Sequence, residues 1–181
     1  VEVSFKLNRS LIEKTKKQIV AFEDVSTESE GSVFTHKSIQ DKDQTVYVPE
    51  VHTTALSEDT KDHFAGSYPK AKIVDTVQVS NLEPNRQYKL VGTLMNQKTG
   101  DAFTSNDQPI TSEAEFESKT DKDSFNGTVD VVFEFDASLL LAGQTTVVFE
   151  KLYMKNDEGK WVECGGHEDI KDEGQSVHYS D

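Results

Sequence analysis

The chain of 181 residues carries 33 acidic and 19 basic side chains, which gives a formal net charge of −14 at pH 7. This balance argues against a protein that binds nucleic acids or anionic membranes, because both partners need a basic surface. The single cysteine excludes an intrachain disulfide, and no apolar run approaches the length of a membrane span. The length suits one domain or slightly more, with enough chain to bury one core.

A motif near the start of the chain returns near its end. His36 and Gln44 lie in the stretch HKSIQDKDQTV, and His167 and Gln175 lie in the stretch HEDIKDEGQSV. Both stretches follow the spacing H-x-x-I-x-D-x-x-Q-x-V, and the two copies stand 131 positions apart. A fixed period of this size indicates an array of domains, each of ordinary domain length.

Each copy of the motif follows a strand-like run that ends in Phe-Glu, at Glu23 in the first copy and at Glu150 in the second. We therefore expect two domains: residues 1–49 as the C-terminal part of an incomplete repeat, and residues 50–181 as a complete repeat. Two or three strands bury too little apolar surface to close a sandwich alone. The missing half of the first repeat is expected to come from another fragment or chain, and the other partners to be adjacent repeats of the same polypeptide.

From residue 50 onward, short runs of alternating apolar and polar residues predict an all-β structure. The predicted strands cover residues 50–56, 71–79, 87–95, 112–118, 127–135, 145–154 and 174–179. Residues 57–70 are polar and are interrupted by glycine and proline, so a loop is expected there, and Asp136 is expected to cap a short helical turn. About seven strands at this spacing predict an immunoglobulin-like β-sandwich, here within a tandem repeat array.

The alternation places four polar side chains on the core side of these strands. Thr53, Asp75, Glu150 and Gln175 each share a face with apolar residues two positions away. A sandwich core has little reason to accept unpaired acids, because burying them is costly. These groups therefore either satisfy one another as a static hydrogen-bonded network or take part in a reaction.

The residue types suit the attack of a threonine hydroxyl on the side-chain amide of a glutamine, which releases ammonia and leaves an ester. Glu150 can hold His167 as the base that removes the hydroxyl proton. A buried and therefore protonated Asp75 can donate to the oxyanion on the amide carbon. If the first and last strands are adjacent, Thr53 and Gln175 meet and the reaction becomes effectively unimolecular. This chemistry is a single self-modification, so we expect neither a turnover enzyme nor a cofactor.

Five stretches of the chain carry a resemblance to a known family. They are His52-Thr53-Thr54-Ala55, IVDTV at 73–77, LVGTLM at 90–95, VFEKL at 148–152, and the motif that runs from His167 to Gln175. These stretches are similar to those of the Thr–Gln ester-bond domains, or VaFE repeats, of Gram-positive surface adhesins. The resemblance covers essentially all of residues 50–180, and its C-terminal third recurs in residues 1–49.

The resemblance implies both a bond and a location. It implies that the first threonine of the pair is esterified to the glutamine of the closing strand, with an Asp, a Glu and a His assisting. The matching residues here are Thr53, Gln175, Asp75, Glu150 and His167, with Glu23, His36 and Gln44 at the equivalent positions of the first repeat. It also implies an extracellular stalk, anchored to the cell wall outside this segment, that holds an adhesin tip away from a Gram-positive cell.

Three other functions stay open at this point. A ligand-binding immunoglobulin-like sandwich could keep the polar residues as a non-covalent network. A Lys–Asn isopeptide stalk domain would need a lysine where the opening strand offers Thr53. A turnover enzyme or a metal site could use Cys164 with His167, but the first copy of the motif has no cysteine, and one cysteine with scattered histidines is a poor ligand set. We therefore expect no metal.

Overall fold

The computed structural model describes residues 2–7, 18–140 and 143–180. Contacts between residues divide the chain into two compact units, Val1–Val48 and Pro49–Asp181. This division falls one residue earlier than the boundary expected from the sequence, and parts of both expected domains lie outside the described residues. No helix in the described part of the chain is long and apolar enough to cross a membrane.

The described part of the first unit contains four short strands, β1 (Gln18–Val20), β2 (Glu23–Thr27), β3 (Gly31–His36) and β4 (Thr45–Tyr47). β1 pairs with β4 and β2 pairs with β3, both in the antiparallel sense. No residue in the described part of this unit is buried. Its strands are formed, but they enclose no core of their own.

The second unit has eleven strands among its described residues. They are β5 (Glu50–Ser57), β6 (Phe64–Gly66), β7 (Ala71–Leu82), β8 (Gln87–Asn96), β9 (Thr104–Ser105), β10 (Gln108–Pro109), β11 (Thr111–Glu117), β12 (Phe125–Phe135), β13 (Thr145–Lys155), β14 (Trp161–His167) and β15 (Ser176–Ser180). Short 3-10 turns lie between strands at Ala137–Leu139 and at Glu173–Gln175.

These strands form a β-sandwich. One sheet has the order β12-β7-β5, and the other has the order β11-β8-β13-β15-β6, with β14 also paired to β13. The pairs are antiparallel except for β15 and β6, which run parallel. Side chains from both sheets build one hydrophobic core, in which Ile73 and Leu94 are at most 1% exposed. The all-β, immunoglobulin-like sandwich expected from the alternation is confirmed.

Local sequence signals located most elements of the second unit, but they did not predict the short strands β6, β9 and β10 or the strand β14. Asp136 caps its turn as expected and accepts a hydrogen bond from the backbone nitrogen of Ser138 at 3.0 Å. The strand β6 lies inside the predicted loop, and β14 was not expected because adjacent glycines weaken β-propensity. One of these glycines, Gly166, is needed there, since a Cβ on it would lie 2.6 Å from the carbonyl oxygen of Glu150.

Candidate functional site

Thr53 and Asp75 lie on neighbouring strands of the three-stranded sheet. In the ladder between β5 and β7, Ala55 is opposite Asp75 and Thr53 is opposite Val77, so both polar side chains point into the core from the same face. Both are buried, and the hydroxyl of Thr53 donates a hydrogen bond to Oδ1 of Asp75. The hydroxyl expected to act as nucleophile therefore has a carboxylate acceptor beside it.

Glu150 reaches the same place from the opposite sheet. It lies on β13, opposite Gly92 of β8 and opposite His167 of β14, and its side chain is fully buried. Its carboxyl group lies beside the carboxyl group of Asp75, close enough for the two to interact directly. The site thus contains a pair of acids that belong to different sheets.

The two carboxyl groups share one proton. Burial raises the pKa of both, and the nearby Asp75 raises the pKa of Glu150 further, whereas the hydrogen bond from Thr53 lowers the pKa of Asp75 in part. Without a proton on one acid, Oδ2 of Asp75 and both oxygens of Glu150 have no donor among the described residues. The proton belongs on Glu150, whose pKa is raised further. The sequence had predicted a protonated Asp75, and the hydroxyl of Thr53 explains the difference.

Gln175 lies in the 3-10 turn just before β15, and not within a strand as expected. Its side chain is fully buried, and its Nε2 donates to the carbonyl oxygen of Val148 at 2.5 Å. Its Oε1 has no hydrogen-bond donor among the described residues. The turn lies against β5, because a Cβ added to Gly174 would lie 3.7 Å from the carbonyl oxygen of Thr53. The carboxamide is held by its nitrogen while its carbonyl oxygen is left without a donor.

His167 ends β14 and lies beside β5. Its Nε2 is 2.7 Å from Oδ2 of Asp172, and its Nδ1 is 3.4 Å from the carbonyl oxygen of Val51. Glu150 faces His167 in the ladder, yet neither of its carboxyl oxygens is hydrogen-bonded to the ring. The expected Glu150–His167 pair is therefore corrected: the carboxyl of Glu150 turns into the core, and Asp172 holds the imidazole instead.

Asp172 is the residue that sequence reasoning left without a role. Its Oδ1 accepts a hydrogen bond from the backbone nitrogen of Gly174 at 2.8 Å, which caps the 3-10 turn, while its Oδ2 contacts His167. The signal for it was in the repeated motif, where an aspartate stands five residues after the histidine in both copies. One side chain thus fixes both the turn that carries Gln175 and the ring of His167.

The first unit repeats the histidine–aspartate arrangement. Nε2 of His36 is 2.7 Å from Oδ2 of Asp41, and Oδ1 of Asp41 accepts from the backbone nitrogen of Asp43 at 3.0 Å. Glu23 is opposite His36 in the ladder between β2 and β3. The two copies of the motif therefore fold in the same way.

Gln44 of the first unit also resembles its counterpart. Its Oε1 is enclosed and has no hydrogen-bond partner among the described residues, as is the case for Gln175. The ladder between β1 and β4 has the same register, relative to the motif, as the ladder between β13 and β15. No described residue of the first unit takes the place of Thr53 or Asp75, so this unit presents only the glutamine half of the site.

The alternative built on Cys164 has little support from its surroundings. Burial raises the pKa of this thiol to about 12, so the reactive thiolate is disfavoured near neutral pH. Among the residues that the structure describes, no group of three or more His, Cys, Asp or Glu is placed to hold a metal ion.

Both copies of the motif, with the elements around them, match one family. The T-Q ester bond containing domain matches residues 1–48 and again residues 49–179. The chain belongs to this family. Thr53, Asp75, Glu150, His167 and Gln175 all fall within the second T-Q ester bond segment, and Glu23, His36 and Gln44 fall within the first. The resemblance stated from the sequence is thereby confirmed.

Two solved structures have a similar fold. Both are of a bacterial adhesin from Mobiluncus mulieris that contains intramolecular disulfide, isopeptide and ester bond cross-links, in space groups P21 and P1. The P21 structure has a TM-score of 0.51 at 17% identity and covers 71% of this chain and 56% of the adhesin chain. The P1 structure has a TM-score of 0.51 at 19% identity and covers 73% and 57%. The chain thus spans little more than half of the adhesin chain, and at this identity the likeness concerns the fold alone. No curated protein is a significant match.

Proposed function

We propose that the second unit is a structural module of a surface adhesin, closed by an ester bond between Thr53 and Gln175. The observation that carries the proposal is a shortage of hydrogen-bond donors in this core: among the described residues, Oε1 of Gln175 has none, and Oδ2 of Asp75 and both oxygens of Glu150 have only the one proton that the two acids share. A static network would satisfy these groups, because each unsatisfied buried group costs about 1–3 kcal/mol. Groups that take part in a reaction can instead gain their hydrogen-bond partners as protons and charge move during the reaction. This favours the ester over a ligand-binding sandwich with a non-covalent network.

The geometry supports Asp75 as the base. Its carboxylate accepts the hydroxyl hydrogen of Thr53, and in the proposed reaction it takes this proton as Oγ1 bonds to Cδ of Gln175. The protonated Glu150 donates to Oε1 of the glutamine as negative charge develops there. A proton then passes from Asp75 to Nε2, the C–N bond breaks and ammonia leaves. Oγ1 and Cδ remain joined as an ester.

His167 then acts from the rim of the site, and not as the base that the sequence suggested. Asp172 and the carbonyl oxygen of Val51 hold its two ring nitrogens. Burial raises the pKa of Asp75, and the electrostatic influence of His167 lowers it in part. The histidine therefore helps to keep the base ionised inside the core.

The proposed reaction happens once in each module. Thr53 and Gln175 are both consumed, and the product stays within the chain. The module is accordingly not a turnover enzyme, and the five side chains need no cofactor for this chemistry.

The mass of the intact folded chain tests the proposal. We expect it to be lower than the mass of the sequence by one ammonia, and Thr53→Ala and Gln175→Ala to keep the full mass. Thr54→Ala is the matched control, because Thr54 lies on the exposed face of β5 and its replacement should leave the loss of ammonia unchanged. A wild-type chain that folds and retains its full mass would remove the ester and favour the static network.

We further propose that the module belongs to an extracellular stalk, anchored to the cell wall of a Gram-positive bacterium. Membership of the T-Q ester bond family and the fold shared with a cross-linked adhesin support this location. The excess of acidic side chains keeps such a surface hydrated. The partners along the stalk would be adjacent repeats of the same polypeptide.

The first unit is proposed to be the closing half of another such module. Val25 and Val46 are 56% and 60% exposed, whereas their counterparts in the second unit, Leu152 and Val177, are both 0% exposed. The exposed face thus corresponds to a surface that is buried when the sandwich is complete. We propose that an equivalent opening segment, from another fragment or chain, covers this face and supplies the threonine that esterifies Gln44.

A further inference from the structure

We propose that Gly92 is a positioning residue for ester formation, because the lack of a side chain at this place makes the seat for the carboxyl group of Glu150. The inference rests on the proposed ester chemistry, but it concerns a residue that contributes no reacting atom. Gly92 lies on β8 directly opposite Glu150. Opposite residues of an antiparallel pair project from the same face of the sheet, and here that face is the core.

Two groups occupy the space that a side chain of residue 92 would fill. A Cβ built on Gly92 would lie 2.4 Å from Oε1 of Glu150 and 2.5 Å from Cζ of Phe133. Both distances are far inside van der Waals contact. The carboxyl of Glu150 therefore lies over the backbone of Gly92, with the ring of Phe133 from the other sheet against it. Both groups are the far ends of side chains, so an added methyl group would displace them before it displaced the strand.

Displacement of this carboxyl would change the reaction and not only the packing. From its seat over Gly92, Glu150 shares a proton with Asp75 across the core. A carboxyl pushed away from this seat can no longer share that proton. Misplacement of a reacting group by about 1 Å costs about 100-fold in rate.

The test is the rate at which chains isolated unfolded and then refolded lose ammonia, measured across a range of pH. We expect Gly92→Ala to fold and to react about 100-fold more slowly, with a changed pH profile because Glu150 no longer shares its proton with Asp75. Gly165→Ala is the matched control, since its added Cβ would meet only ordinary contacts, at 3.6 Å from Pro49 and from Val51. It should react like the wild type.

A second substitution separates the seat from a general effect on the strand. Phe133→Leu in the Gly92→Ala background frees the space of the ring beside the carboxyl of Glu150, so the carboxyl can shift away from the new methyl group while it stays near Asp75, and part of the rate should recover. A double variant that stays as slow as Gly92→Ala would show that the glycine serves the backbone of β8, which overturns the inference.

The remaining outcomes are also decisive. Gly92→Ala that reacts at the wild-type rate with the wild-type pH profile overturns the inference and leaves the ester standing, whereas a wild type that never loses ammonia removes the proposed function itself. If Gly92→Ala does not fold, Gly92→Ala combined with Glu150→Ala and Phe133→Leu decides, because this variant removes both groups that the added methyl group would meet. Recovered folding supports the seat, and continued failure to fold overturns it.

Discussion

At the scale of single residues, Asp75 and Glu150 show how two carboxyl groups in one core take different protonation states. The hydroxyl of Thr53 stabilises the ionised form of Asp75, whereas burial and the charge of Asp75 both oppose ionisation of Glu150. The pair can therefore offer a base and an acid at the same pH. Groups whose surroundings separate their pKa values in this way are suited to general acid–base catalysis.

Ester formation is expected to show a bell-shaped dependence on pH. The rate should fall in acid as Asp75 takes up a proton, and in alkali as Glu150 loses its own. Because the pKa values of both groups are raised, the active window lies above the range in which free carboxyl groups titrate. Initial rates of ammonia loss on refolding measure the profile. Glu150→Gln should be slower and should lack the alkaline limb, and an alkaline limb that persists in this variant would contradict the shared proton.

Glu150 should also couple folding stability to pH in a chain that cannot form the ester. Its folded pKa is raised above its unfolded value, so its stabilising contribution is present below the unfolded pKa and is lost as the pH rises through the folded one. In Gln175→Ala, the folding equilibrium constant should fall by up to about tenfold per pH unit within that window. Denaturant midpoints at a series of pH values measure this slope. Adding Glu150→Gln should remove it at neutral and alkaline pH, and an unchanged slope would show that Glu150 is not the proton carrier.

Asp172→Asn should slow ester formation although the fold is kept. Asparagine can still cap the turn through its side-chain oxygen, but it places no negative charge against His167, so we expect a rate at least about tenfold lower. Asp136→Asn is the control, because Asp136 caps the other 3-10 turn and has no histidine partner there. Equal rates of ammonia loss in the two variants would assign Asp172 to turn formation alone.

At the scale of elements, the alternation of apolar and polar residues was sufficient to predict burial, because burial depends on which face of its own strand a residue occupies. It placed Thr53, Asp75 and Glu150 in the core, and all three are buried there. It could not show that the carboxyl of Glu150 turns away from His167, because that depends on the space over Gly92, which a different strand contributes. Contacts made between elements that are distant in sequence leave no local pattern to read.

The closing segment shows the same limit. Period-two alternation suggested that Gln175 belongs to the last strand, whereas the residue lies in a 3-10 turn that Asp172 caps. The repeated spacing between His167 and Gln175 was nevertheless informative, because that spacing preserves the turn in both copies. The motif singled out Gln175, but it did not predict the element that carries this residue.

The open face of the first unit leads to a prediction at this scale. A separately produced fragment of residues 49–128 offers Thr53 and Asp75 without a closing half, and we expect it to form a covalent adduct with the full chain through Gln44. Mass spectrometry of the mixture detects the adduct. Gln44→Ala should abolish it, while Gln40→Ala, which replaces an exposed glutamine of the same unit, should not. An adduct that survives Gln44→Ala would contradict the assignment.

At the scale of the whole molecule, the proposed ester joins the opening strand to the turn before the closing strand. It encloses the 121 residues between Thr53 and Gln175. By analogy with a disulfide loop of that size, it would restrict the unfolded chain by about 4–5 kcal/mol. The larger effect is kinetic, because force must break a covalent bond before the core can open. Water would hydrolyse the ester, and buried apolar residues of this core such as Val51, Ile73 and Val148 exclude that water.

Single-molecule pulling measures this mechanical role. The wild type should show no extension step from the enclosed residues, because the ester carries the load past them. Thr53→Ala should unfold with a step that corresponds to the full length of the second unit. If the cross-linked wild type extends at the same force and to the same length as this variant, the stalk role is wrong.

The most direct test of the ester is to identify the two residues that it joins. Protease digestion of the folded chain, followed by fragmentation mass spectrometry, should yield one species that contains both the Thr53 peptide and the Gln175 peptide. Its mass should equal the sum of the two peptide masses minus one ammonia. Hydroxylamine should separate the two peptides, since it cleaves esters and leaves isopeptide bonds intact. Recovery of the Thr53 and Gln175 peptides only as separate, unmodified species would contradict the ester.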